Sequence, residues 1–581
     1  MSPLWTLALL CTIFVALHGQ PVAVATSPAA QALGVNRESA ITIRFDRDID
    51  PGSASGAIAV FGRWSGVLPG TTSLDGDNRT LRFTPSRPLF AGEWVSVNVS
   101  STLLDVNGFH LAGGYSWGFW TGSRATPFAI VEIARIPVRQ PGENWIQTYG
   151  ANAIDLNGDG FSDYAVPNER SNDLRVFMND GTGTYGPFTI VPLPNASRPS
   201  TNEAADFDGD GHADLAIGST ANERVNVLTG NGLGGFSAVD DYPADRGVRG
   251  LTVLDLNGDD APDIVTANRN GSTITTFINR GDGTFTVGDT IDTGVIGESA
   301  IAAVDLNEDG LLDLAVGGNS SSQMVTLLSD GQGGLLATAP IFAGGSPWMI
   351  AVADINGDGH ADVASANSSN GTVALFFGNG QGGLAAPQTL PSGGGFPLAI
   401  DLGDLDGDGD LDMMASNYDA VFRLWENRGD GTFETPEDFQ PDIAASCAVF
   451  HDRDGDGDVD ITGIDEMADL LIVFDNPAVT AIEPGPTAPE GIVLRPNYPN
   501  PFNPSTHVEF GMRNAEWVHL VVFDIQGQRV ATLVDAALAA GHHTVTWNGR
   551  DDAGRAMPSG VYLYRLQAGS SVQARKMILM R

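Results

Sequence analysis

The chain has 581 residues and a formal net charge of −41 at pH 7, with 71 acidic against 30 basic side chains. A chain of this length is expected to hold several domains, and its negative charge argues against nucleic acid or an anionic membrane as a partner. Of its two cysteines, Cys11 lies in an apolar leader, so the mature chain is expected to form no internal disulfide.

The chain starts with an apolar run at residues 4–17, which is too short for a stable membrane anchor. We therefore predict a signal peptide over residues 1–19. No later stretch predicts a transmembrane helix, so the protein is not expected to span a membrane. The remaining sequence consists of short alternating runs bounded by Gly, Asn, Asp and Pro, a pattern that predicts an all-β protein.

Residues 20–123 have the length and pattern of one β-sandwich. The runs at 41–45 and 80–83 alternate between apolar and polar side chains, as strands with one buried face do. Together with residues 88–94 and 119–121, they resemble the bacterial Ig-like domains of surface-layer type. The resemblance implies a spacer or an adhesive accessory and not a catalyst.

Residues 124–477 contain seven copies of a nine-residue pattern, Asp-x-Asp/Asn-x-Asp-Gly-x-x-Asp, about fifty residues apart. Seven copies at a regular interval disfavour the alternative that these are only solvated hairpin turns. The copies hold 28 of the 71 acidic residues of the chain. A period of this size is typical of propellers, solenoids and arrays. The copies start at Asp155, Asp206, Asp255, Asp305, Asp354, Asp404 and Asp452.

The spacing within each copy suits calcium, a hard cation that takes six to eight oxygen ligands. Positions 1, 3, 5 and 9 offer side-chain oxygens, position 7 offers a backbone carbonyl, and glycine at position 6 permits a sharp turn. Asp260 replaces that glycine in the third copy, where we expect a weaker site. We predict up to seven Ca²⁺. The predicted ligands are Asp155, Asn157, Asp159, Phe161 and Asp163; Asp206, Asp208, Asp210, His212 and Asp214; Asp255, Asn257, Asp259, Ala261 and Asp263; Asp305, Asn307, Asp309, Leu311 and Asp313; Asp354, Asn356, Asp358, His360 and Asp362; Asp404, Asp406, Asp408, Asp410 and Asp412; and Asp452, Asp454, Asp456, Asp458 and Asp460.

Each repeat carries four strand-like runs, which predicts one blade of a β-propeller. The nine-residue pattern and the turn at 279–285 resemble the FG-GAP or VCBS repeat family, to which the integrin α-subunit head belongs. The resemblance implies a calcium-binding propeller. The seventh repeat ends at residue 477 without a fourth strand, whereas a surplus strand at 127–133 precedes the first repeat. We predict that this surplus strand completes the last blade and so removes its exposed edge.

Residues 478–491 form a Pro-rich linker, and residues 492–581 have the pattern of a second Ig-like sandwich. The runs at 497–506, 522–527, 547–549, 559–562 and 576–579 resemble the C-terminal sorting domain of type IX secretion substrates, an Ig fold of the FlgD type. The resemblance implies export by the type IX secretion machinery of a Gram-negative-type bacterium, to the medium or the outer cell surface. The alternative is one more adhesive Ig-like module.

A ligand site is expected at the end of the blades opposite the calcium loops, because function concentrates in loops on a rigid scaffold. The position six residues before each first Asp should lie near the mouth of the central channel. Aromatic side chains there could stack on a sugar or grip a peptide, or they could simply plug the channel and pack between blades. The candidate ligand residues are Trp145, Tyr149, Arg249, Trp348 and Phe396.

The sequence thus predicts an all-β, seven-bladed calcium-binding β-propeller flanked by two Ig-like β-sandwich domains. It contains no His-Glu-x-x-His or Gly-x-Ser-x-Gly motif, and we expect no enzymatic activity. The favoured function is secreted or cell-surface adhesion or recognition of an extracellular glycan or protein, by a monomer. Two alternatives remain: a structural surface component without a specific ligand, and a propeller-based polysaccharide-degrading enzyme.

Overall fold

The computed structural model describes residues 19–419, 421–477, 493–494, 497, 502, 504–512, 516–524, 527–538, 541–568 and 571–579. These residues form strands, turns and irregular segments, and none of them lies in a helix that could cross a membrane. The chain divides into two compact units, residues 1–478 and 479–581, which are described separately. The predicted signal peptide lies outside the described residues except for Gly19.

The first module is a sandwich of two four-stranded antiparallel sheets, with orders β1-β2-β6-β5 and β4-β3-β7-β8. Alternate side chains of its strands point inwards, and Phe45, Leu81, Val97 and Phe119 are buried in one shared core. The all-β sandwich expected for this region is therefore present. Its strands are β1 (Ala23–Ser27), β2 (Ile41–Phe45), β3 (Ile58–Gly62), β4 (Gly66–Val67), β5 (Gly70–Leu74), β6 (Thr80–Pro85), β7 (Trp94–Val99) and β8 (Tyr115–Trp120).

The repeats form seven antiparallel sheets, and the first three strands of each sheet pair in chain order. The second strand is buried along its whole length, because neighbouring sheets cover both of its faces. Strand β9 (Val131–Pro137) precedes the repeats. The first sheet contains β10 (Asn152–Ile154), β11 (Asp163–Asn168), β12 (Asp173–Phe177) and β13 (Thr189–Pro192), and the second contains β14 (Pro199–Ala205), β15 (Asp214–Ser219), β16 (Arg224–Gly230) and β17 (Phe236–Pro243). The third contains β18 (Val248–Leu254), β19 (Asp263–Asn268), β20 (Thr273–Asn279) and β21 (Phe285–Ile291).

The remaining four sheets continue the same plan, with a split outer strand in the fourth. They are β22 (Glu298–Val304), β23 (Asp313–Gly318), β24 (Gln323–Ser329), β25 (Leu335–Ala337) and β26 (Ile341–Phe342); β27 (Pro347–Ala353), β28 (Asp362–Asn367), β29 (Thr372–Phe376) and β30 (Gln388–Pro391); β31 (Pro397–Gly403), β32 (Asp412–Asn417), β33 (Phe422–Trp425) and β34 (Glu437–Phe439); and β35 (Ala445–His451), β36 (Asp460–Asp465) and β37 (Leu470–Asp475).

The seventh sheet takes its fourth strand from the segment before the first repeat. Strand β9 pairs antiparallel with β37, so that Val131 lies opposite Asp475 and Pro137 opposite Leu470. The predicted pairing is confirmed, but the predicted bounds of 127–133 are wrong, since the strand runs from Val131 to Pro137. Residues 127–130 precede it, where Phe128 and Ile130 pack against the core between the sixth and seventh sheets.

Hydrophobic cores lie between successive sheets, and the first and seventh sheets share one as well. Tyr164 of β11 and Ile464 of β36 are buried in the same cluster. The hydroxyl groups of Tyr164 and Thr462 lie 2.6 Å apart, within hydrogen-bonding distance. The inner strands β10 and β35 are also in contact. The two ends of the repeat region therefore meet.

The second unit contains a three-stranded sheet, β38-β39-β42, and a four-stranded sheet, β41-β40-β43-β44. Trp547, Tyr564 and Leu566 are buried in its core. Two sheets over one core agree with the predicted sandwich. The described strands are β38 (Val493–Leu494), β39 (Thr506–Met512), β40 (Glu516–Asp524), β41 (Arg529–Leu538), β42 (Gly541–Trp547), β43 (Gly560–Ala568) and β44 (Ser571–Leu579).

Candidate metal centres and ligand-binding face

The seven nine-residue loops all join the first strand of a sheet to the second. In the first sheet, β10 ends at Ile154, the loop starts at Asp155, and Asp163 is the first residue of β11. The other six loops have the same position relative to their strands. Because the strands are antiparallel, all seven loops lie at one end of the sheets, the loop face. The turns between second and third strands lie at the other end, the far face.

Each loop curls around the side-chain oxygens of its own first, third and fifth residues. In the first loop, Asp155 accepts hydrogen bonds from the backbone N–H groups of Asp159 at 3.1 Å and Gly160 at 2.9 Å. Asn157 Oδ1 also accepts one from Asp159, at 2.9 Å. Asp159 in turn accepts one from Phe161, at 3.0 Å. The predicted ligand residues of one loop are therefore brought together by local hydrogen bonds.

Three loops bring three carboxylates close enough to hold one cation. In the second, sixth and seventh loops, oxygens of the first, third and fifth aspartates lie within 4.8 Å of one another. In the sixth loop Asp404 is buried, and its Oδ1 has no hydrogen-bond partner among the described residues. Carboxylates this close repel one another unless a cation lies between them. Clustered oxygen donors are what Ca²⁺ prefers, so the residues present fit the ion.

The ninth aspartate of each loop has a second role that the sequence did not reveal. Asp163 accepts a backbone hydrogen bond from Leu156 inside its loop at 3.1 Å, and another from Asn179 at the end of β12 at 2.8 Å. The corresponding aspartates make the same two contacts in every repeat. Each ninth aspartate thus ties its loop to the turn after the third strand. The presence of this aspartate in all seven copies is the sequence feature that could have indicated this second role.

Burial makes these loop carboxylates difficult to ionise when no cation is bound. It raises the pKa of Asp163, Asp214 and Asp263 to about 7 and that of Asp412 to about 9, although backbone hydrogen bonds work in the opposite direction. A bound cation would reverse this preference, because it stabilises the ionised form.

The third loop keeps its shape despite lacking glycine at position 6. Asp260 has a φ of 73°, in the left-handed region where the other loops have glycine. Its N–H donates to Asp255 Oδ2 at 2.8 Å, as the glycine N–H does elsewhere. The carboxylate is less well accommodated, since Asp260 Oδ1 is buried without a hydrogen-bond partner, and burial together with Asp255 and Asp259 raises its pKa to about 7.

At position 7, the side chains take part in contacts that differ from loop to loop. His212 is exposed, whereas the imidazole of His360 pairs with Glu308 of the preceding loop. Burial raises the pKa of Asp410 to about 7, with the other acids of its loop as a further cause. Asp458 pairs with Arg124. Position 7 was predicted to bind calcium through its backbone carbonyl. At His360 and Asp458, its side chain also contacts residues outside its own loop.

The N-terminal sandwich packs directly onto the loop face, which the sequence did not predict. The backbone N–H of Ser101 donates to the carbonyl of Gly258 at 3.0 Å, and that of Ser116 to the carbonyl of Gly310 at 2.7 Å. Further donors reach the sixth and seventh loops. The hydroxyl of Ser123 donates to the carbonyl of Asp404. From the segment just after the sandwich, the backbone N–H groups of Thr126 and Arg124 donate to the carbonyls of Asp406 and Gly457. A module expected to be a spacer thus contacts several of the candidate metal loops.

Two arginines flank the seam between the first and last repeats. Arg87 Nη1 lies 3.2 Å from Asp155 Oδ2 of the first loop. Arg124 Nη2 lies 2.8 Å from Asp456 Oδ2 of the seventh loop. Both guanidinium groups neutralise part of the loop carboxylates from outside the repeats. Loops one and seven therefore differ electrostatically from the loops between them.

The turn between β3 and β4 inserts between the inner strands of the sheets. Arg63 Nη2 lies 2.8 Å from Asp401 Oδ1 on β31. The neighbouring Trp64 is 1% exposed and packs against Phe450 and Val459 in one core. Burial raises the pKa of Glu203 to about 7, and Arg63 partly offsets the effect. The sandwich thus closes the loop-face end of the space between the inner strands.

On the far face, four of the five predicted ligand residues form one cluster. Trp348 Nε1 donates to the hydroxyl of Tyr149 at 2.9 Å. The guanidinium of Arg249 lies 4.4 Å from the ring centre of Tyr149 and 4.8 Å from that of Trp348. Phe396 contacts Trp348 with ring centres 5.9 Å apart. Trp145 is separate and lies under Arg170, with its Nε1 donating to the carbonyl of Glu466.

The cluster is packed more tightly than a free stacking platform. Arg249 and Arg269 both lie over the ring of Trp348, at 4.8 Å and 4.6 Å from its centre. Burial raises the pKa of Tyr149 to about 12. Side chains from other repeats, Tyr149, Arg249 and Arg269, thus hold the ring of Trp348 in place. Phe396 keeps 36% of its surface exposed.

A buried polar network lies beside this cluster and was not found from the sequence. Gln147 Nε2 donates to Glu169 at 3.0 Å and to Glu466 at 2.8 Å. Arg249 Nη1 pairs with the other oxygen of Glu169 at 2.8 Å. Glu466 is 3% exposed, its Oε2 has no partner among the described residues, and burial raises its pKa to about 7.

A concave pocket of about 700 Å³ opens on the same face. Its volume lies in the range usual for small-molecule sites. Two of the predicted ligand residues, Arg249 and Trp348, line it, together with Arg198, Arg246 and Arg269. The sequence analysis did not identify these three additional arginines. Their position in connections on the far face is the sequence feature that could have indicated them.

Family profiles match three parts of the chain. A bacterial Ig-like domain matches residues 18–121, and a FlgD Ig-like domain matches residues 503–571. An FG-GAP-like repeat matches residues 155–217, 255–316, 305–365, 354–415 and 404–462. The predicted Ig-like and FG-GAP-like assignments are therefore confirmed. No curated protein matches the chain.

Solved structures resemble the chain only distantly. The crystal structure of BBS1N in complex with ARL6DN, soaked with mercury, is 15% identical, with a TM-score of 0.45 over 60% of this chain and 98% of that one. A protein from Lactobacillus plantarum is 13% identical, with a TM-score of 0.35 over 67% and 98%. PorZ, a surface component of the type-IX secretion system of Porphyromonas gingivalis, is 12% identical, with a TM-score of 0.36 over 95% and 82%. Scores below 0.5 establish neither fold nor function.

Proposed function

We propose that this chain is a secreted or cell-surface recognition protein whose repeat region is a closed, seven-bladed β-propeller. The pairing of β9 with β37 and the core shared by the first and seventh sheets support the closed ring. The all-β sandwiches at either side support the arrangement of a propeller with two Ig-like modules. The far face would bind the ligand, since the N-terminal sandwich packs on the loop face.

Calcium is proposed to bind in up to seven loops. The side chains at positions 1, 3, 5 and 9 and the carbonyl at position 7 would hold it, and it would neutralise the clustered carboxylates and stiffen the loop. The unpartnered Oδ1 of Asp404 beside Asp406 and Asp408 supports this assignment. In this proposal calcium is structural, and ligand binding belongs to the far face.

The observation that carries the recognition function is the far-face pocket. It is concave and lined by arginines, hydrogen-bonding side chains and Trp348, whose ring contacts the partly exposed Phe396. An extracellular glycan or protein is the proposed ligand. Binding rather than catalysis is proposed, and a monomer suffices because the pocket is formed within one chain.

The recognition function can be tested with glycan and protein arrays probed with the full chain in calcium. Phe396→Ser should weaken whatever binding is found, because Phe396 packs against Trp348, which lines the pocket. Phe342→Ser is the matched control, since Phe342 is 65% exposed on the outer strand β26. Absence of binding to every arrayed ligand, or equal loss in both variants, would favour a structural surface component instead.

A second candidate, a polysaccharide-degrading enzyme, is favoured by one observation. Glu169 and Glu466 are buried carboxylates bridged by Gln147, and the raised pKa of Glu466 would suit a proton donor. Polysaccharide cleavage by the full chain that Glu466→Gln abolishes, with binding retained, would establish this candidate.

The C-terminal unit is proposed to direct export by the type IX secretion machinery. Its support is the resemblance of residues 497–506 and 576–579 to sorting domains and the match to an FlgD Ig-like domain. In the native host, a chain ending at residue 477 should then stay in the periplasm. Export of that shortened chain would favour an adhesive module.

A further inference from the structure

The far-face pocket carries positive charge in a protein that is otherwise strongly negative. Four arginines line it, Arg198, Arg246, Arg249 and Arg269, and only two acidic residues, Glu169 and Glu223. The whole chain has a net charge of −41. We call this site the arginine pocket. Four guanidinium groups against two carboxylates leave an excess of two positive charges in one cavity.

Most of this charge is not neutralised by neighbouring side chains. Within the described residues, Arg198 and Arg269 take part in no ion pair, and Arg246 approaches Asp245 only to 3.9 Å. Arg249 does pair with Glu169, but its Nε is buried and has no partner. Burial and the nearby Arg249 both lower the pKa of Arg269, as expected for guanidinium groups held together without a counter-charge.

The shape of a guanidinium group selects the chemistry of its partner. Its planar donors form paired hydrogen bonds with carboxylate, sulfate or phosphate oxygens. The remaining lining groups include Gln147, Thr220 and Asn270, which can donate to or accept from hydroxyl groups. The apolar lining consists mainly of Ala221 and Trp348. An apolar side chain of a peptide ligand would therefore make few contacts in this pocket.

We propose that the arginine pocket binds an acidic saccharide, a sugar whose ring carries a carboxylate or a sulfate group. The inference rests on the recognition function proposed above and narrows its ligand. Arg198 and Arg246 lie in the connections between repeats and are placed to contact the anionic group, whereas Arg249 and Arg269 hold Trp348. The hydroxyl groups of the sugar would face the polar lining side chains.

The test is calorimetric titration of the full chain in calcium with three trimers: galacturonic acid, sulfated galactose and neutral galactose. At least one acidic trimer should bind ten-fold or more tightly than the neutral one. The double variant Arg198→Gln/Arg246→Gln should lose at least ten-fold in affinity. Binding should also weaken as sodium chloride is raised, because salt screens exposed charges. The two acidic trimers distinguish carboxylate from sulfate recognition.

Arg280→Gln is the matched control, since it removes an exposed arginine from a turn on the loop face. It should leave the affinity unchanged. Equal binding of the neutral and acidic trimers would overturn the inference and leave the recognition function intact. Lack of binding by both acidic trimers, or full binding by the double variant, would also overturn it, and the array experiment decides the broader function independently.

Discussion

At the scale of single residues, the loop aspartates divide into two kinds. Among the described residues, Asp408, at position 5 of the sixth loop, accepts only a local hydrogen bond from Asp410, at 3.1 Å. Asp412, at position 9, accepts from Leu405 at 2.9 Å and from Asn427 at 3.0 Å. Removing the first kind affects the metal, whereas removing the second also leaves buried backbone donors unpaired.

Asp408→Ala is therefore expected to remove one bound calcium ion and to leave the rest of the loop unchanged. Its removal takes one carboxylate from the cluster with Asp404 and Asp406. At free calcium of 100 times Kd, losing one independent site lowers the free energy of unfolding by about 2.7 kcal/mol. Metal content by mass spectrometry and thermal melting check this, with the exposed Asp289→Ala as control. An unchanged calcium content would contradict the metal assignment of this loop.

Stability should depend on pH in opposite directions with and without calcium. Burial holds the pKa of Asp163, Asp214 and Asp263 at about 7, above the usual value for an aspartate. A carboxyl with a raised pKa stabilises the fold below its unfolded pKa, and this contribution is lost as pH rises through the folded value. In EDTA, the melting temperature should fall between pH 5 and pH 8.

With saturating calcium the trend should reverse, because bound calcium requires ionised ligands and competes with protons. The reference pKa of about 3.9 alone would place acid release of calcium near pH 4. The raised pKa values of the metal-free loops shift acid release of calcium to higher pH, and saturating calcium partly opposes that shift. Melting scans between pH 5 and pH 8 in EDTA and in calcium check both trends, and parallel curves would show that these carboxylates do not hold the metal.

Asp260→Gly should stabilise the third loop. It removes a left-handed non-glycine residue and a buried carboxylate oxygen without a partner. Left-handed strain alone costs on the order of 1 kcal/mol. Glu308→Gly is the matched comparison, because Glu308 has a φ of 61° but lies at the surface beside His360. A larger rise in melting temperature for Asp260→Gly would identify the contribution of buried charge.

Calcium titration of the third loop follows the same reasoning. Asp260→Gly should also tighten this site, which we expect to be the first to lose metal to a chelator. Equal affinity before and after the substitution would mean that aspartate supports the metal-bound turn as well as glycine does.

Local spacing made the loop residues predictable, because Asp155, Asn157 and Asp159 belong to one turn and need no knowledge of the fold. Partners distant in sequence were not predictable in this way. Asn179 binds Asp163 from the next turn, and Arg124 reaches Asp456 from the segment before the first repeat. On the far face, spacing identified Arg249 and Trp348 but not Glu466, since nothing local to Glu466 indicates its burial.

At the scale of strands, β9 depends on backbone pairing more than on packing. Val131 and Ile133 are about half exposed, at 47% and 49%. Its residues pair with β37 from Val131 opposite Asp475 to Pro137 opposite Leu470. The alternating pattern revealed that a strand was present, but apolar Phe128 and Ile130 moved the predicted bounds too early. They are apolar because they pack on the core, not because they pair.

Replacing residues 131–137 with a flexible linker of equal length should destabilise the repeat region and promote aggregation. The change leaves the edge of β37 unpaired, and exposed strand edges associate with other chains. The control is the same replacement of β30, which removes the outer strand of a single sheet without separating the chain ends. Equal melting and equal solubility of the two variants would contradict closure by strand exchange.

At the scale of the whole molecule, the N-terminal sandwich and the candidate metal loops form one interface. Ser101 and Ser116 donate to carbonyls of the third and fourth loops, and Arg87 pairs with Asp155 of the first. The sandwich is therefore held by atoms that belong to the loops themselves. Family resemblance predicted both modules but not their contact, because an interface depends on surfaces that no repeat pattern describes.

Removing calcium should loosen this interface before the sandwich itself unfolds. Amide exchange in EDTA should speed up at Ser101, Ser116 and Arg124, which donate to loop carbonyls, but not at core strand residues such as Val97. Arg87→Ala should have a weaker effect in the same direction. Arg44→Ala is the control, since Arg44 pairs with Asp77 within the sandwich. Unchanged exchange at all three amides would show that docking is independent of metal.

The pairing of β9 with β37 also has a mechanical consequence. Val131 and Asp475 are register partners, so the chain enters and leaves the repeat region at the same end of the same strand pair. A pull between the segments before Val131 and after Asp475 would open the pair one hydrogen bond at a time, instead of shearing all its bonds together. Under tension, resistance would then come first from the docked sandwich and the segment that follows it, where Arg87 and Arg124 hold the first and seventh loops.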